Sequence, residues 1–458
     1  RERERESNRE RDLSMTTSAP DLPKDQYVFI RKLQQGLRLA IGSVTPQPAR
    51  ELQMKDFEVK RVFGLEKYRD RDTSYQLPSW SFSDYAPRVF RHFRALFGVD
   101  AAGFLMSLCG DDCLVPMGSA GKSGCVFLRS ADSRYIIKTM KKSESKLLRR
   151  VLLQYHRHFT RHPHSLISRY YGMFKIVTGT STHYLCIMNN ITPSYCPVNR
   201  MYDLKGSWVG RTSKMKDPLH PPKLLKDNNV DRPFILSPRF HALLCAQLTI
   251  DSKFLSDMNF LDYSMLLGVA SGPGLDTVQR EDQERHTNSI PDPLSPNTAR
   301  QWERAFIDAD AVTVEDLTRF GSELIRSAPG KPLKSVFESW GGGIPGGRNV
   351  LGDERYLLGV IDIFTEWSNR KAMENSFKGL VYDKKGVSAV PPPEYAQRFC
   401  TSLSQLFTST PPGERHSDTD GDAEDIHTPD AGYSNERERE RVRQGERAGE
   451  VEFAVETE

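Results

Sequence analysis

Asn259-Phe-Leu-Asp-Tyr-Ser-Met-Leu-Leu-Gly268 places a single carboxylate, Asp262, inside an otherwise apolar run. A carboxylate removed from water is costly unless it is paired, hydrogen-bonded or bound to a cation, so the position asks for a chemical reason. Downstream, Tyr356-Leu-Leu-Gly-Val-Ile-Asp-Ile-Phe364 repeats the arrangement and reads as a buried strand carrying Asp362 in its middle. Upstream, Tyr135-Ile-Ile-Lys-Thr139 sets Lys138 among apolar neighbours, 14 residues after the last glycine of Gly118-Ser-Ala-Gly-Lys-Ser-Gly124. Two isolated acids, a strand lysine and a glycine-rich loop match the needs of phosphoryl transfer from a nucleotide. The loop would cover the phosphates, the lysine would neutralise them, one acid would serve the acceptor hydroxyl and the other magnesium.

Each part also has a plainer reading. Glycines mark ordinary turns, and a lysine at a sheet edge reaches solvent. Gly121-Lys-Ser123 looks like the end of a Walker motif, but that pattern needs glycine where Pro116 stands, and a helix where a strand follows. Met201-Tyr-Asp-Leu-Lys-Gly-Ser207, continued by Arg211, Lys214 and Lys216, offers small residues for close phosphate approach and cations for charge. A polar turn would look much the same.

Charge is distributed unevenly. Residues 414–458 hold 15 acids against six bases, and residues 1–12 balance five against five, so of the formal +4 the stretch 13–413 carries +13. A basic body points to an anionic partner, whether nucleotide, nucleic acid or acidic membrane, or to a merely solubilising surface. Seven cysteines without a CxxC pair give no disulfide framework, which makes a reducing cytosolic or nuclear compartment the expectation. No apolar run approaches the roughly 18 residues a spanning helix needs, so any membrane contact is expected to be peripheral.

Helical spacing appears over 27–43, with Gly42 as a stop signal, and over 83–97, where Arg88, Arg91 and Arg94 form the opposite face. Residues 124–139 and 166–188 read as strands, the latter an antiparallel pair, and 143–158 and 238–258 read as helices. Eight Lys or Arg against one Glu over 138–161 form either a solvated helix face or an anion-binding one. A Pro/Ser/Asn-rich insertion at 271–300, a helical stretch at 301–326 and the flexible Gly341–Gly347 segment precede the Asp362 strand. This order gives a two-lobed α+β architecture with a crevice between the lobes.

MYDLKGS at 201–207, FLDYSMLLGV at 260–269, GKSGCVF at 121–127 with YIIKT at 135–139, and LLGVIDIF at 357–364 together resemble the phosphatidylinositol phosphate kinase family. The resemblance runs from about 27 to 408 and includes FRHFRALFGVD (90–100), RYYGMF (169–174) and PPEYAQRF (392–399). It implies a lipid-kinase fold distantly similar to protein kinases, and the chain correspondingly has neither an HRD nor a DFG triplet. The expected organisation is a catalytic domain over 23–408, with an N-lobe of antiparallel sheet to about 195 and a C-lobe of helices and short strands from about 196. An activation segment would occupy 365–392, and disordered tails 1–22 and 409–458 would flank the domain.

By the same resemblance, Lys138 contacts the phosphates of ATP, and Gly121, Ser123 and Gly124 belong to the nucleotide loop. Asp262 is the catalytic acid and Asp362 the Mg2+ ligand. Lys205 and Arg211 lie near the transferred phosphate and the inositol head group, with Asp203, Asn228 and Asp251 in support. Arg370-Lys-Ala-Met-Glu374-Asn-Ser-Phe-Lys378 resembles the segment associated with substrate choice. Glu374 there favours type I, a phosphatidylinositol 4-phosphate 5-kinase, over type II, as do Gly343-Ile-Pro345 and Met188-Asn-Asn190. Ala372 departs from the pattern, standing where the family carries a second lysine, although Arg370 could replace the charge. Arg370, Lys371 and Lys378 would bring the site to anionic membranes at roughly 1 kcal/mol per cation. The implied enzyme is peripheral at the cytoplasmic side of the plasma membrane, with a nuclear pool left open. Its partner is phosphatidylinositol 4-phosphate and not nucleic acid, and a homodimer is left open. A type II or 3-phosphate-directed kinase, or a phosphoinositide-binding scaffold, are the alternatives.

Overall fold

Apolar residues every three or four positions drive the first helix, α1 (Lys24–Val44), whose Ile30, Leu33, Leu37 and Ile41 are buried along one face. Gly42 does not stop it, because Val44 is buried as well and carries the helix past the glycine. The computed structural model describes residues 24–45, 47–48, 50–65, 68–69, 76–77, 79–110, 113–117, 125–179, 181–193, 198–214, 223–236, 238–271, 344–345, 354–373 and 386–409. All fall within one compact unit, Arg1–Pro411. Outside the described residues lie the loop 118–124 with Gly121, Ser123 and Gly124, the stretch 374–385 with Glu374 and Lys378, most of the insertion, the helical reading of 301–326, and both tails.

After α1 come β1 (Lys60–Leu65), the small hairpin β2 (Tyr68–Arg69) and β3 (Gln76–Leu77), β4 (Trp80–Tyr85), α2 (Pro87–Leu96), α3 (Ala101–Cys109), β5 (Leu114–Met117), β6 (Phe127–Ser130) and β7 (Tyr135–Met140). Then follow α4 (Lys142–Arg161), β8 (Tyr170–Thr178) and β9 (Ser181–Asn189). Six antiparallel pairings arrange β1-β4-β8-β9-β7-β6-β5 into a seven-stranded sheet. One face packs on α1 and α3 through Leu33, Leu37, Phe82, Phe104, Ile137 and Phe174. The other packs on α2 and α4 through Phe93, Leu148, Leu152, Tyr155 and Met173, and this core continues without a break into the C-terminal half.

That half contains β10 (Val198–Leu204), β11 (Leu225–Lys226), β12 (Phe234–Leu236), α5 (Pro238–Asp257), β13 (Ser264–Ser271), β14 (Ile344–Pro345), β15 (Glu354–Ile361), α6 (Pro392–Leu406) and β16 (Phe407–Ser409). A second sheet runs β11-β10-β13-β15-β14, and β12 pairs parallel with β16. Tyr263, just before β13, and Met265 and Tyr356 of the second sheet share one core with Leu244 and Leu248 of α5 and Phe399 of α6. At roughly 1.5–3 kcal/mol for each large apolar side chain buried, this layer fixes the strands that carry the site.

Three further readings of the sequence are corrected and one is refined. The helix expected over 83–97 begins only at Pro87, because Trp80–Tyr85 is a strand and Ala86, at φ 46°, turns the chain into the helix. Arg94 is buried rather than on a polar face, and donates to the Tyr171 carbonyl at 2.7 Å. The strand reading of 124–139 resolves into the β6–β7 hairpin, turned at Ser133, whose φ is 59°. Asp362 is not in the middle of a buried strand: β15 ends at Ile361, and Asp362 follows with φ 58° and a side chain 57% exposed. Its apolar neighbours Val360 and Ile363 are buried, and the left-handed residue between them turns the carboxylate outward.

Candidate active site

Strand register decides which residues meet. Leu204 of β10 pairs with Met265 of β13, and Ser264 pairs with Ile361 of β15. Lys205, Asp262 and Asp362 therefore emerge at the same end of three adjoining strands. The loops they stand on are laced together: Leu261 N donates to Thr365 O and Trp367 N to Asn259 O, both at 3.0 Å, and Asn259 Nδ2 donates to Trp367 O at 3.2 Å. Asn259 and Asp262 share φ 63°, so the segment before β13 is a tight double turn that lifts Asp262 out of the apolar run. Its side chain is about a quarter exposed, a half-open position rather than a buried one.

Lys205 holds this carboxylate. Its Nζ donates to Asp262 Oδ1 at 2.6 Å and to the Asp262 carbonyl at 2.8 Å, leaving Oδ2 on the open side, 3.7 Å from Lys371 Nζ. Across from it, Lys138 reaches from the middle of β7 to Asp362 Oδ1 at 2.5 Å. Burial works to lower the Lys138 ammonium, but the charge and hydrogen bond of Asp362 outweigh it, and the group is held above the ordinary lysine value. Lys138 is thus neither an edge lysine nor free to lose its charge at neutral pH. A second contact between the halves lies alongside, Arg150 of α4 to Glu366 at 2.6 Å.

The Asp-Leu-Lys-Gly-Ser segment is shaped by a residue that the sequence reading missed. Asp227 Oδ1 accepts from the backbone N–H groups of Lys205 and Gly206, both at 2.8 Å, and its Oδ2 accepts from Arg211 Nε at 2.7 Å. Arg211 also donates to the Asp203 carbonyl and lies 3.4 Å from the Asp203 carboxylate. Burial would lower its guanidinium, yet Asp203 and Asp227 raise it. Gly206 has φ 65°, and a Cβ there would lie 3.0 Å from Ser402 and 3.2 Å from the Arg398 carbonyl, so only glycine fits between the catalytic turn and α6. Asp251 belongs to a different place: it is buried beside α4, accepting from Leu166 N and His158 Nε2 at 2.7 Å. Asn228 braces the loop on both sides of Arg211, its Nδ2 donating to Trp208 O at 2.9 Å and to Thr212 Oγ1 at 3.0 Å.

Among the described residues no cluster of three or more His, Cys, Asp or Glu could hold a metal by itself. Magnesium at a nucleotide site needs only one or two carboxylates plus the phosphates, and the outward carboxylate of Asp362, with one oxygen committed to Lys138, fits that demand.

Residues 108–406 match the sequence model of the Phosphatidylinositol-4-phosphate 5-Kinase family. The chain belongs to that family. Phosphatidylinositol 4-phosphate 5-kinase 9 of Arabidopsis thaliana is 32% identical over 425 residues, covering 83% of this chain and 51% of the relative. Phosphatidylinositol 4-phosphate 5-kinase 7 of the same plant is 31% identical over 424 residues, with 83% and 55% covered. Phosphatidylinositol 4-phosphate 5-kinase its3 of Schizosaccharomyces pombe is 30% identical over 399 residues, with 82% and 52% covered. The chain spans about half the length of these relatives. As a member of the phosphatidylinositol-4-phosphate 5-kinase family it has the α+β lipid-kinase architecture that its motifs led us to expect, and the four charged residues Lys138, Lys205, Asp262 and Asp362 are joined in two ion pairs at its centre.

Proposed function

We infer that this chain transfers the γ-phosphoryl group of ATP to the 5-hydroxyl of phosphatidylinositol 4-phosphate, giving phosphatidylinositol 4,5-bisphosphate. The observation that carries the reading is the emergence of Lys205, Asp262 and Asp362 at one end of three paired strands, with Lys138 reaching Asp362 from the other sheet. Phosphoryl transfer asks little covalent chemistry of the protein and much positioning and charge. Asp262 Oδ2 orients the inositol hydroxyl and takes its proton as the oxygen bonds to the γ-phosphorus. Lys205 locks Oδ1 and so fixes which oxygen receives the proton. The bond from the γ-phosphorus to the bridging oxygen breaks, and ADP leaves with that oxygen. Lys138 offsets charge on the nucleotide phosphates, and Arg211, steadied by Asp203 and Asp227, adds positive charge near the acceptor. Asp362 would hold Mg2+, which neutralises the phosphate oxygens when bound.

Membrane contact in this reading is peripheral. No helix among the described residues is long and apolar enough to cross a bilayer. Arg370 and Met373 are both exposed just beyond Asp362, and Lys371 lies beside Asp262, so a charged and apolar rim adjoins the acid. A phosphoinositide in the cytoplasmic leaflet of the plasma membrane is the substrate this rim suits. Replacing Asp262 by Asn tests the assignment: turnover should vanish while nucleotide binding persists. A variant within tenfold of the parent, about 1.4 kcal/mol of barrier, would refute the role given to the acid.

A further inference from the structure

The basic face of α4 is absorbed only in part by the site described above: Arg150 pairs with Glu366, whereas Lys142 and Arg149 make no ion pair among the described residues. Strand register brings two more cations to the same place. Lys60 of β1 stands opposite Tyr85 of β4, and Lys175 of β8 stands opposite Ser83, two residues along the same face. Tyr85 is the common anchor, with Arg149 Cζ 4.8 Å and Lys60 Nζ 6.0 Å from its ring centroid. Burial lowers the Lys175 ammonium from its ordinary value, and the charges acting on it are all cations, Lys60, Arg149 and Lys142. The nearest acids in sequence are Glu144, which accepts from the Lys141 backbone N–H at 2.7 Å, and the exposed Glu58, two residues before Lys60, which makes no ion pair among the described residues. Asp84, the next residue on β4 before Tyr85, points to the opposite face, toward Arg94.

Like charges gathered from a helix and two strands repel one another, and among the described residues no carboxylate forms an ion pair with them. We propose that Lys60, Arg149 and Lys175, grouped beside Tyr85, with Lys142 two turns before Arg149 on α4, form a binding site for a phosphate-bearing polyanion, separate from the site at Asp262 and Asp362. The chemistry suits several phosphate oxygens at once: one guanidinium gives a planar fork, three ammoniums give point charges, and the aromatic ring holds two of the cations in register. Either a soluble polyphosphate or the phosphate of a lipid head group supplies that chemistry. The inference does not depend on which lipid the active site phosphorylates.

The test uses the whole chain with its nucleotide site saturated by a non-hydrolysable ATP analogue, so that added anion cannot bind there. Tripolyphosphate affinity is measured by calorimetry. In parallel, binding is measured to phosphatidylcholine vesicles with and without phosphatidylserine, for the parent and for Arg149→Met/Lys175→Met. Arg149 is exposed and Lys175 partly buried, and an unchanged melting temperature checks that the variant folds. A loss of tripolyphosphate affinity of about tenfold or more, the least expected when two cations are removed and one charge-assisted contact alone contributes that much, establishes a soluble-polyanion site. An equal loss seen only on phosphatidylserine vesicles assigns the site to head groups. Unchanged binding in both arms overturns the proposal, as does tripolyphosphate binding that disappears in Lys138→Met but not in the double variant.

Discussion

Asp227→Asn isolates the one carboxylate that organises the catalytic turn without touching the proposed reaction. The amide oxygen can still accept from Lys205 N and Gly206 N, but its NH2 group then faces the Arg211 Nε–H, donor against donor. Arg211 has a side chain only 9% exposed and keeps Asp203 at 3.4 Å, so the loss is one charge-assisted bond rather than a whole buried pair. That sets the cost at about 1.5–3 kcal/mol, below the 3–5 kcal/mol of an orphaned buried charge. If the strain is relieved by movement of the turn, Lys205 leaves Asp262 and the barrier rises by a similar amount, about tenfold to a hundredfold in kcat. KM for ATP should hold, because Lys138 stands on the other sheet. Urea unfolding and initial-rate kinetics on lipid vesicles measure the two effects. A kcat within about twofold of the parent with an unchanged unfolding midpoint, against the factor of ten expected, would refute Asp227 as the organiser of the turn.

Asp84 gives a pH prediction: burial pushes its carboxyl up to about 7 while Arg94 and Arg61 pull the other way. The folded protein therefore keeps a proton that the unfolded chain, with an ordinary carboxyl near 3.9, has lost, and stability from this group falls as pH rises toward about 7. At about 1.36 kcal/mol per pH unit the upper bound is about 4 kcal/mol, and Asp84→Asn should remove that slope; parallel stability curves for variant and parent would count against it. Glu374→Ala, in a stretch outside the described residues, should move lipid preference from the 4-phosphate toward the 5-phosphate. An unaltered product profile would remove Glu374 from substrate choice.

Much of the fold is written in periodicity. Leu147, Leu148, Val151, Leu152 and Tyr155 mark α4, and the alternation flanking Thr178-Gly-Thr-Ser marks the β8–β9 hairpin. Trp80-Ser-Phe-Ser-Asp-Tyr misled because its last residue also fits the helical spacing that follows; Pro87, favoured in the first turn of a helix, was the overlooked boundary. Arg94 could not be read as buried because its partner, the Tyr171 carbonyl, comes from a strand 77 residues away. In the site, the isolated acids were legible since an acid in an apolar run is expensive, but their pairing was not. Lys138 was matched to a phosphate and Lys205 to the transferred phosphate and head group; their ion pairs with Asp362 and Asp262 were not foreseen. Asp227 stands in Lys226-Asp-Asn-Asn229, a polar turn with no apolar neighbour to make its charge conspicuous. Only the folded chain shows that two backbone amides and a guanidinium converge on it.

The central claim is regiochemical, and radiolabelled ATP offered to vesicles containing phosphatidylinositol 3-, 4- or 5-phosphate in parallel, with products resolved by head-group position, tests it most directly. Selective conversion of the 4-phosphate to the 4,5-bisphosphate is the predicted result. Turnover of the 5-phosphate or 3-phosphate lipid in preference, or no turnover with vesicle binding retained, would contradict it.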